Sequence, residues 1–164
     1  MASNEKIRAV VVTISDSRSE TDDVSGSILI ALLKEIGAQT VDKIIVSDNF
    51  EHLRNTLYSL CEREDANLII TTGGTGFSER DNTPEATRAV IEKEAPGLAE
   101  AMRSGTLKNT PMAMLSRGVC GIRKNSLIIN LPGSPKGVRE CFAVIKPVLP
   151  HAINLIAGNT NHGE

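Results

Sequence analysis

LIITTGGTGFSERDNTPEAT, the stretch from Leu68 to Thr87, carries three signals in succession. Leu68, Ile69 and Ile70 lead into Thr71-Thr72 as a short apolar run of strand length, bounded by Gly73-Gly74-Thr75-Gly76. Thr83-Pro84 then opens a helix, with Thr83 read as N-cap and Pro84 as the first helical residue. A buried strand that ends in glycine and turns toward a helix is a fragment of a parallel sheet, and the flanking sequence extends it. Upstream, Ile7 to Ile14 is a nearly continuous β-branched run, as expected of a strand covered on both faces. Ile28, Leu29, Leu32, Leu33 and Ile36 keep helical spacing and stop at Gly37. Val41 to Val46 reads as a second strand, and Phe50, Leu53, Leu57, Leu60 and Cys61 mark a helix running to about Glu64. Strand, helix, strand, helix, strand is the βαβ signature, which predicts a three-layer α/β/α fold with a mostly parallel sheet and helices on both faces.

Downstream, the pattern predicts a helix from about Gly97 to Arg103 with Gly105 as its stop, and a short helical piece from Met112 to Leu115. Val119 to Ile122 and Ser126 to Leu131 read as a small β-hairpin about Arg123-Lys124-Asn125. Ser134-Pro135 caps a helix through Ile145, and Pro147 begins another that ends near Gly158, before a polar tail of six residues. At 164 residues without repeat or linker, the chain is expected to form one domain over 1–164.

Composition narrows the function. Lys and Arg number 18 against 20 Asp and Glu, so no global basic field attracts nucleic acid or an anionic membrane, and any anion site is local. Aromatic residues make up 2%, which leaves no row of rings for stacking bases. Three cysteines without CxxC spacing and three scattered histidines speak against a disulfide frame or a zinc site. With no apolar window near the roughly 18 residues of a membrane span, a cytoplasmic location is expected.

In a parallel sheet, ligands bind at the carboxyl ends of the strands, so the loops there matter most. The Gly73 to Gly76 turn allows close backbone approach and can present amides to an anion; it equally serves as a tight strand-to-loop turn. It is neither a Walker A loop nor a GxGxxG fingerprint. Asp81 suits a hard divalent cation and Arg80 a phosphate, although together they also make an ordinary surface pair. Asp48 follows the second strand and reads alone as a helix N-cap; Asp16 and Asp23 follow the first. Four carboxylates around one crevice suit a Mg²⁺-nucleotide better than a bare anion. Ser134 reads as a cap, and Lys136 as a point charge for phosphate. Ser116 and Arg117 carry no signal of their own, and the cysteines read as small buried hydrophobes.

TTGGTGFSERDNTPEAT from Thr71 and LSRGVCGIRKNSLIINLPGSPKG from Leu115, with ISDS at Ile14, DVSG at Asp23, EAPG at Glu94 and LPHAINL at Leu149, resemble the MogA/MoaB family, which includes the gephyrin G domain. The resemblance implies a molybdopterin adenylyltransferase, a nucleotidyltransferase of molybdenum cofactor biosynthesis that joins AMP from ATP to the terminal phosphate of molybdopterin, with Mg²⁺. The alternative it leaves open is a MoaB-type non-catalytic carrier or scaffold for molybdopterin. Carried over, the catalytic and metal-holding aspartates are Asp48 and Asp81. Gly73, Gly74, Thr75 and Gly76 border the nucleotide; Ser116, Asn130, Pro132, Gly133, Ser134 and Lys136 border the pterin and its phosphate. Asp16 and Asp23 match family positions, and Ser15 and Arg80 complete the expected substrate-binding set. The resemblance also implies a homotrimer, with a hexamer as the alternative, and hand-over of product to a molybdenum insertase.

Overall fold

β1 (Arg8–Ile14) lies inside the sheet, flanked by β2 (Gln39–Val46) and β3 (Leu68–Thr72), both parallel to it. The computed structural model describes residues 4–160. The remaining elements are α1 (Val24–Glu35), α2 (Phe50–Cys61), α3 (Thr83–Val90), β4 (Lys93–Glu94), α4 (Pro96–Leu107), a 3₁₀ turn (Pro111–Leu115), β5 (Cys120–Arg123), β6 (Ser126–Leu131), α5 (Pro135–Ile145) and α6 (Leu149–Ile156). The sheet order is β2-β1-β3-β6-β5-β4; β6 continues the parallel part, while β5 and β4 are antiparallel additions.

Strand periodicity sorts the core into two layers. Ala9, Val11, Leu68, Ile70, Leu127 and Ile129 face one side and pack with Leu29, Leu33, Met102, Phe142 and Ile153. Val10, Val12, Ile69 and Ile128 face the other and pack with Leu53, Leu57, Ala86 and Val90. The fold is therefore the expected α/β/α sandwich. Each fully buried aliphatic side chain contributes about 1.5–3 kcal/mol of apolar transfer. The three cysteines are buried, which pushes the thiol pKa of Cys61 and Cys120 up to about 12 and of Cys141 to about 11, so they act as core hydrophobes.

Several boundaries differ from expectation. Asn82, without a side-chain cap bond, precedes α3, and Thr83 is its first residue. The Thr83 hydroxyl instead donates to the Gly73 carbonyl at 2.9 Å. α2 ends at Cys61, not Glu64. α4 runs through Gly105 to Leu107, because that glycine meets α5: a Cβ there would lie 2.9 Å from Val144 Cγ2. β4 was not expected, and the predicted polar tail extends beyond the described residues into 161–164.

Parallel register aligns the strand ends. Ile14 stands beside Val46, Thr13 beside Thr72, and Thr72 beside Leu131, so the chain leaves β1, β2, β3 and β6 at one edge of the sheet.

Candidate functional site

The loops after β3 and β6 meet first. Gly73 and Gly74 have φ of 103° and 68°, and Gly73 donates its amide to Leu131 O at 3.1 Å. A Cβ on Gly73 would sit 2.7 Å from Ile14 O, and one on Gly74 2.2 Å from Thr83 Oγ1, so both positions require glycine. Gly133 lies against Gly73, where an added Cβ would be 3.2 Å from its Cα, and Thr72 Oγ1 donates to Pro132 O at 2.8 Å. The turn is thus tight, as one reading expected. Among the described residues, the amides of Gly74, Thr75 and Gly76 donate to no protein acceptor, which leaves a short run of N–H groups for an anion.

The loop after β2 supplies a carboxylate. Asn49, not Asp48, caps α2, accepting from His52 N at 3.0 Å. Asp48 is released from the capping role and held over the crevice: its amide donates to Asp16 Oδ1 at 3.3 Å and its carbonyl accepts from Asn82 Nδ2 at 3.1 Å. Arg80 Nη2 lies 2.8 Å from Asp16 Oδ2, and its Nε 3.9 Å from Asp48 Oδ2. Partial burial, then the neighbouring Asp16 and Asp81 carboxylates, raise the Asp48 pKa, with Arg80 opposing them. The Ser47 hydroxyl, then Asp48 and Arg80, hold Asp16 below the usual carboxylate range. Asp48 thus lies within electrostatic range of both Asp16 and Asp81. Asp81 closes its own loop, accepting from Ser78 N at 2.9 Å, while Ser15 Oγ shapes the β1 loop by accepting from the Ser17 and Arg18 amides at 3.2 and 3.1 Å.

The loop after β6 borders a cavity of about 150 Å³. Ser116, Asn130, Pro132 and Ser134 line it, with Met102 and Arg103 of α4. Ser134 caps α5 by accepting from Gly137 N at 3.0 Å. Asn130 is buried, and its amide braces Thr71 and Thr87 at 3.1 and 2.9 Å while accepting from Val119 N. Lys136 extends outward, 74% exposed.

Asp23 stands apart from this crevice. Its side chain is wholly buried, caps α1 through Gly26 N at 3.0 Å, and accepts from Thr13 Oγ1 at 2.6 Å with Lys43 Nζ at 3.2 Å. Two arginines to which the sequence analysis assigns no role brace these loops. Arg117 donates from Nε to Gly76 O and from Nη2 to Asp81 O, both at 2.8 Å, and pairs with Glu85, tying the glycine turn to the Asp81 loop. Arg103 donates to Gly118 O at 2.9 Å and Ser116 O at 3.4 Å, fixing the cavity wall. These contacts join residues 13 to 41 positions apart, beyond the reach of any local pattern.

Among the described residues, no group of three or more His, Cys, Asp or Glu side chains converges as a metal cage. Mg²⁺ takes oxygen ligands, one or two of them carboxylates, with water and substrate phosphates completing its shell, and Asp48 and Asp81 are donors of that kind.

Residues 10–151 match the family described as a probable molybdopterin binding domain. The chain belongs to this family. The chain is 46% identical over 160 residues to the molybdenum cofactor synthesis protein cinnamon of Drosophila melanogaster, covering 96% of this chain but 27% of that protein. It is 42% identical over 153 residues to a molybdopterin adenylyltransferase of Helicobacter pylori, covering 91% of this chain and 87% of the relative. Its fold matches the crystal structure of the molybdopterin biosynthesis enzyme MoaB from Thermus thermophilus with a TM-score of 0.86 and 44% identity, over 93% and 97% of the two chains. The resemblance to the MogA/MoaB proteins thus holds over nearly the whole chain, and places it among the proteins of molybdenum cofactor biosynthesis.

Proposed function

We propose that the chain, as one domain over 1–164, is a molybdopterin adenylyltransferase that converts ATP and molybdopterin to adenylyl-molybdopterin and pyrophosphate. The observation that carries this reading is Asp48: released from helix capping by Asn49, it lies within electrostatic range of Asp16 and Asp81, while the Gly74, Thr75 and Gly76 amides of the neighbouring loop donate to no acceptor among the described residues. Similarity to a molybdopterin adenylyltransferase along 87% of that relative's length supports it.

Asp48 and Asp81 would hold Mg²⁺, which when bound neutralises charge on the polyphosphate. The terminal phosphate oxygen of molybdopterin attacks the α-phosphorus in line; the bond from the α-phosphorus to its bridging oxygen breaks, and pyrophosphate leaves with that electron pair. No protein nucleophile is needed, because positioning and charge stabilisation carry most of such a transfer. The amides of Gly74, Thr75 and Gly76 face the polyphosphate, and Arg80 exchanges its Asp16 contact for a phosphate oxygen. Ser15 and Asp16 border the nucleotide side. Ser116, Pro132, Gly133 and Ser134 border the pterin side, with Asn130 and Gly73 bracing it; Lys136, which extends outward here, turns to the phosphate when substrate binds. Asp23 acts indirectly, by fixing the start of α1.

A cytoplasmic homotrimer belongs to the same reading, with a hexamer as the alternative assembly and a molybdenum insertase as the recipient of product. Self-association is supported by an apolar groove between α4, α5 and α6, lined by Leu98, Val144, Val148 and Leu155. Among the described residues, no helix is long and apolar enough to cross a membrane.

The test is incubation with ATP, Mg²⁺ and molybdopterin, followed by chromatography for the adenylylated pterin. Asp81→Asn is expected to lower turnover by about 100-fold or more, as removal of a charge-stabilising group does; full turnover would take Asp81 out of the mechanism. The carrier reading predicts instead tight pterin binding with neither ATP binding nor product.

A further inference from the structure

Among the described residues, the wall of the cavity beside Ser116 holds one charged group that makes no hydrogen bond to the framework. Arg103 is committed to the Gly118 and Ser116 carbonyls, Thr106 to Met102 O at 2.7 Å, Asn130 to Thr71, Thr87 and Val119, and Ser134 to the Gly137 amide. Glu140 of α5, the one acid in that wall, has a side chain 22% exposed. Among the described residues its one ion pair is a loose one, 3.8 Å from the outward Lys136. Ala99, Met102, Met112 and Cys141 supply an apolar, polarisable surface around it. An apolar slot with a single underused carboxylate suits a flat ring that presents two adjacent N–H donors, because a carboxylate accepts two parallel hydrogen bonds.

We infer that Glu140 reads the 2-amino and N3–H edge of the pterin, and so selects 2-amino-4-oxo pteridines over their 2-oxo counterparts. The inference rests on this cavity being the pterin side of the proposed site, and it deepens that reading by naming the ring edge that is recognised. A 2-oxo ring places a carbonyl acceptor beside N3–H, and its oxygen would face the Glu140 carboxylate without a proton between them. An amide in place of the carboxylate reverses the match, since it offers one acceptor and one donor to the same edge.

Two isosteric probes test it: pterin (2-amino) and lumazine (2-oxo), titrated into the full chain and into Glu140→Gln, with binding read by fluorescence of the ring. The wild type is expected to bind pterin about tenfold or more tighter than lumazine, since a charge-assisted bond is replaced by repulsion. Glu140→Gln is expected to invert the order, with its thermal unfolding alone matching that of the wild type. An equal loss for both rings, no preference in the wild type, or no binding of either ring overturns the inference. Adenylylation with the same KM for molybdopterin in wild type and Glu140→Gln removes Glu140 and leaves the transferase standing. Absence of product from the wild type removes the transferase, while the ring preference still decides Glu140 by itself.

Discussion

Asp23→Ala separates two roles that the DVSG segment could have: contact with substrate, or anchorage of α1. The wild-type carboxylate is wholly buried and meets Thr13 Oγ1 at 2.6 Å, Gly26 N at 3.0 Å and Lys43 Nζ at 3.2 Å. Truncation removes an N-cap, at about 1 kcal/mol. It also leaves the buried Thr13 hydroxyl without its acceptor, at about 1–3 kcal/mol. Lys43 keeps its charge with a side chain only 19% exposed, and breaking a buried pair costs about 3–5 kcal/mol in total. Lys43 lies on the edge strand β2 and can turn toward water, so the lower end, about 3 kcal/mol, is expected. For a chain of this length that is a fall in Tm of about 6–12 °C. Burial pushes the Asp23 pKa up, but Thr13, Gly26 and Lys43 more than offset this and hold it below the ordinary 3.8. A lowered folded pKa stabilises the protein above the unfolded value and loses that effect as pH falls through the folded one. The gap between wild type and Asp23→Ala should therefore be full at neutral pH and shrink below about pH 3.8. Calorimetry across pH measures it; a loss below about 1 kcal/mol at pH 7, with turnover abolished, would refute anchorage and return Asp23 to the substrate.

Asp48→Asn is expected to lose about 100-fold or more in turnover while melting no lower than the wild type at pH 7. Its folded pKa is raised by burial and by Asp16, so the ionised carboxylate opposes folding once pH passes that value, and the amide relieves this; a clear drop in Tm would refute the argument. Gly74→Ala forces a Cβ to within 2.2 Å of Thr83 Oγ1 at a φ of 68°, and is expected to cost about 1–3 kcal/mol; an unchanged urea midpoint would show that the turn yields.

The parallel sheet was legible because its inner strands are unbroken apolar runs, and strands of that kind have two buried faces to fill. Ser134 was legible as a cap because serine before proline has few other uses. Asp48 reached the candidate site by motif resemblance, not by local pattern: Asp48-Asn49 offers two good caps in succession, and only the backbone decides that Asn49 takes the helix. Gly105 misled for a related reason, since glycine marks both a helix stop and a close helix approach, and here α5 presses on it. Asp81 and Ser116 came from motif resemblance; Arg117 and Arg103, which hold them in place, act through carbonyls of distant loops and leave no periodic trace.

Both rims of the sheet are blunted. β2 carries Asp42 and Lys43 beside a register shift in its pairing with β1, and β4, on the far side, is the charged pair Lys93-Glu94 alone. Neither is an inviting template for a stray strand from another molecule, which protects against fibrous stacking during synthesis and storage. Copies of this chain that meet in a crowded solution are thereby left to dock through helical flanks rather than by prolonging the ladder.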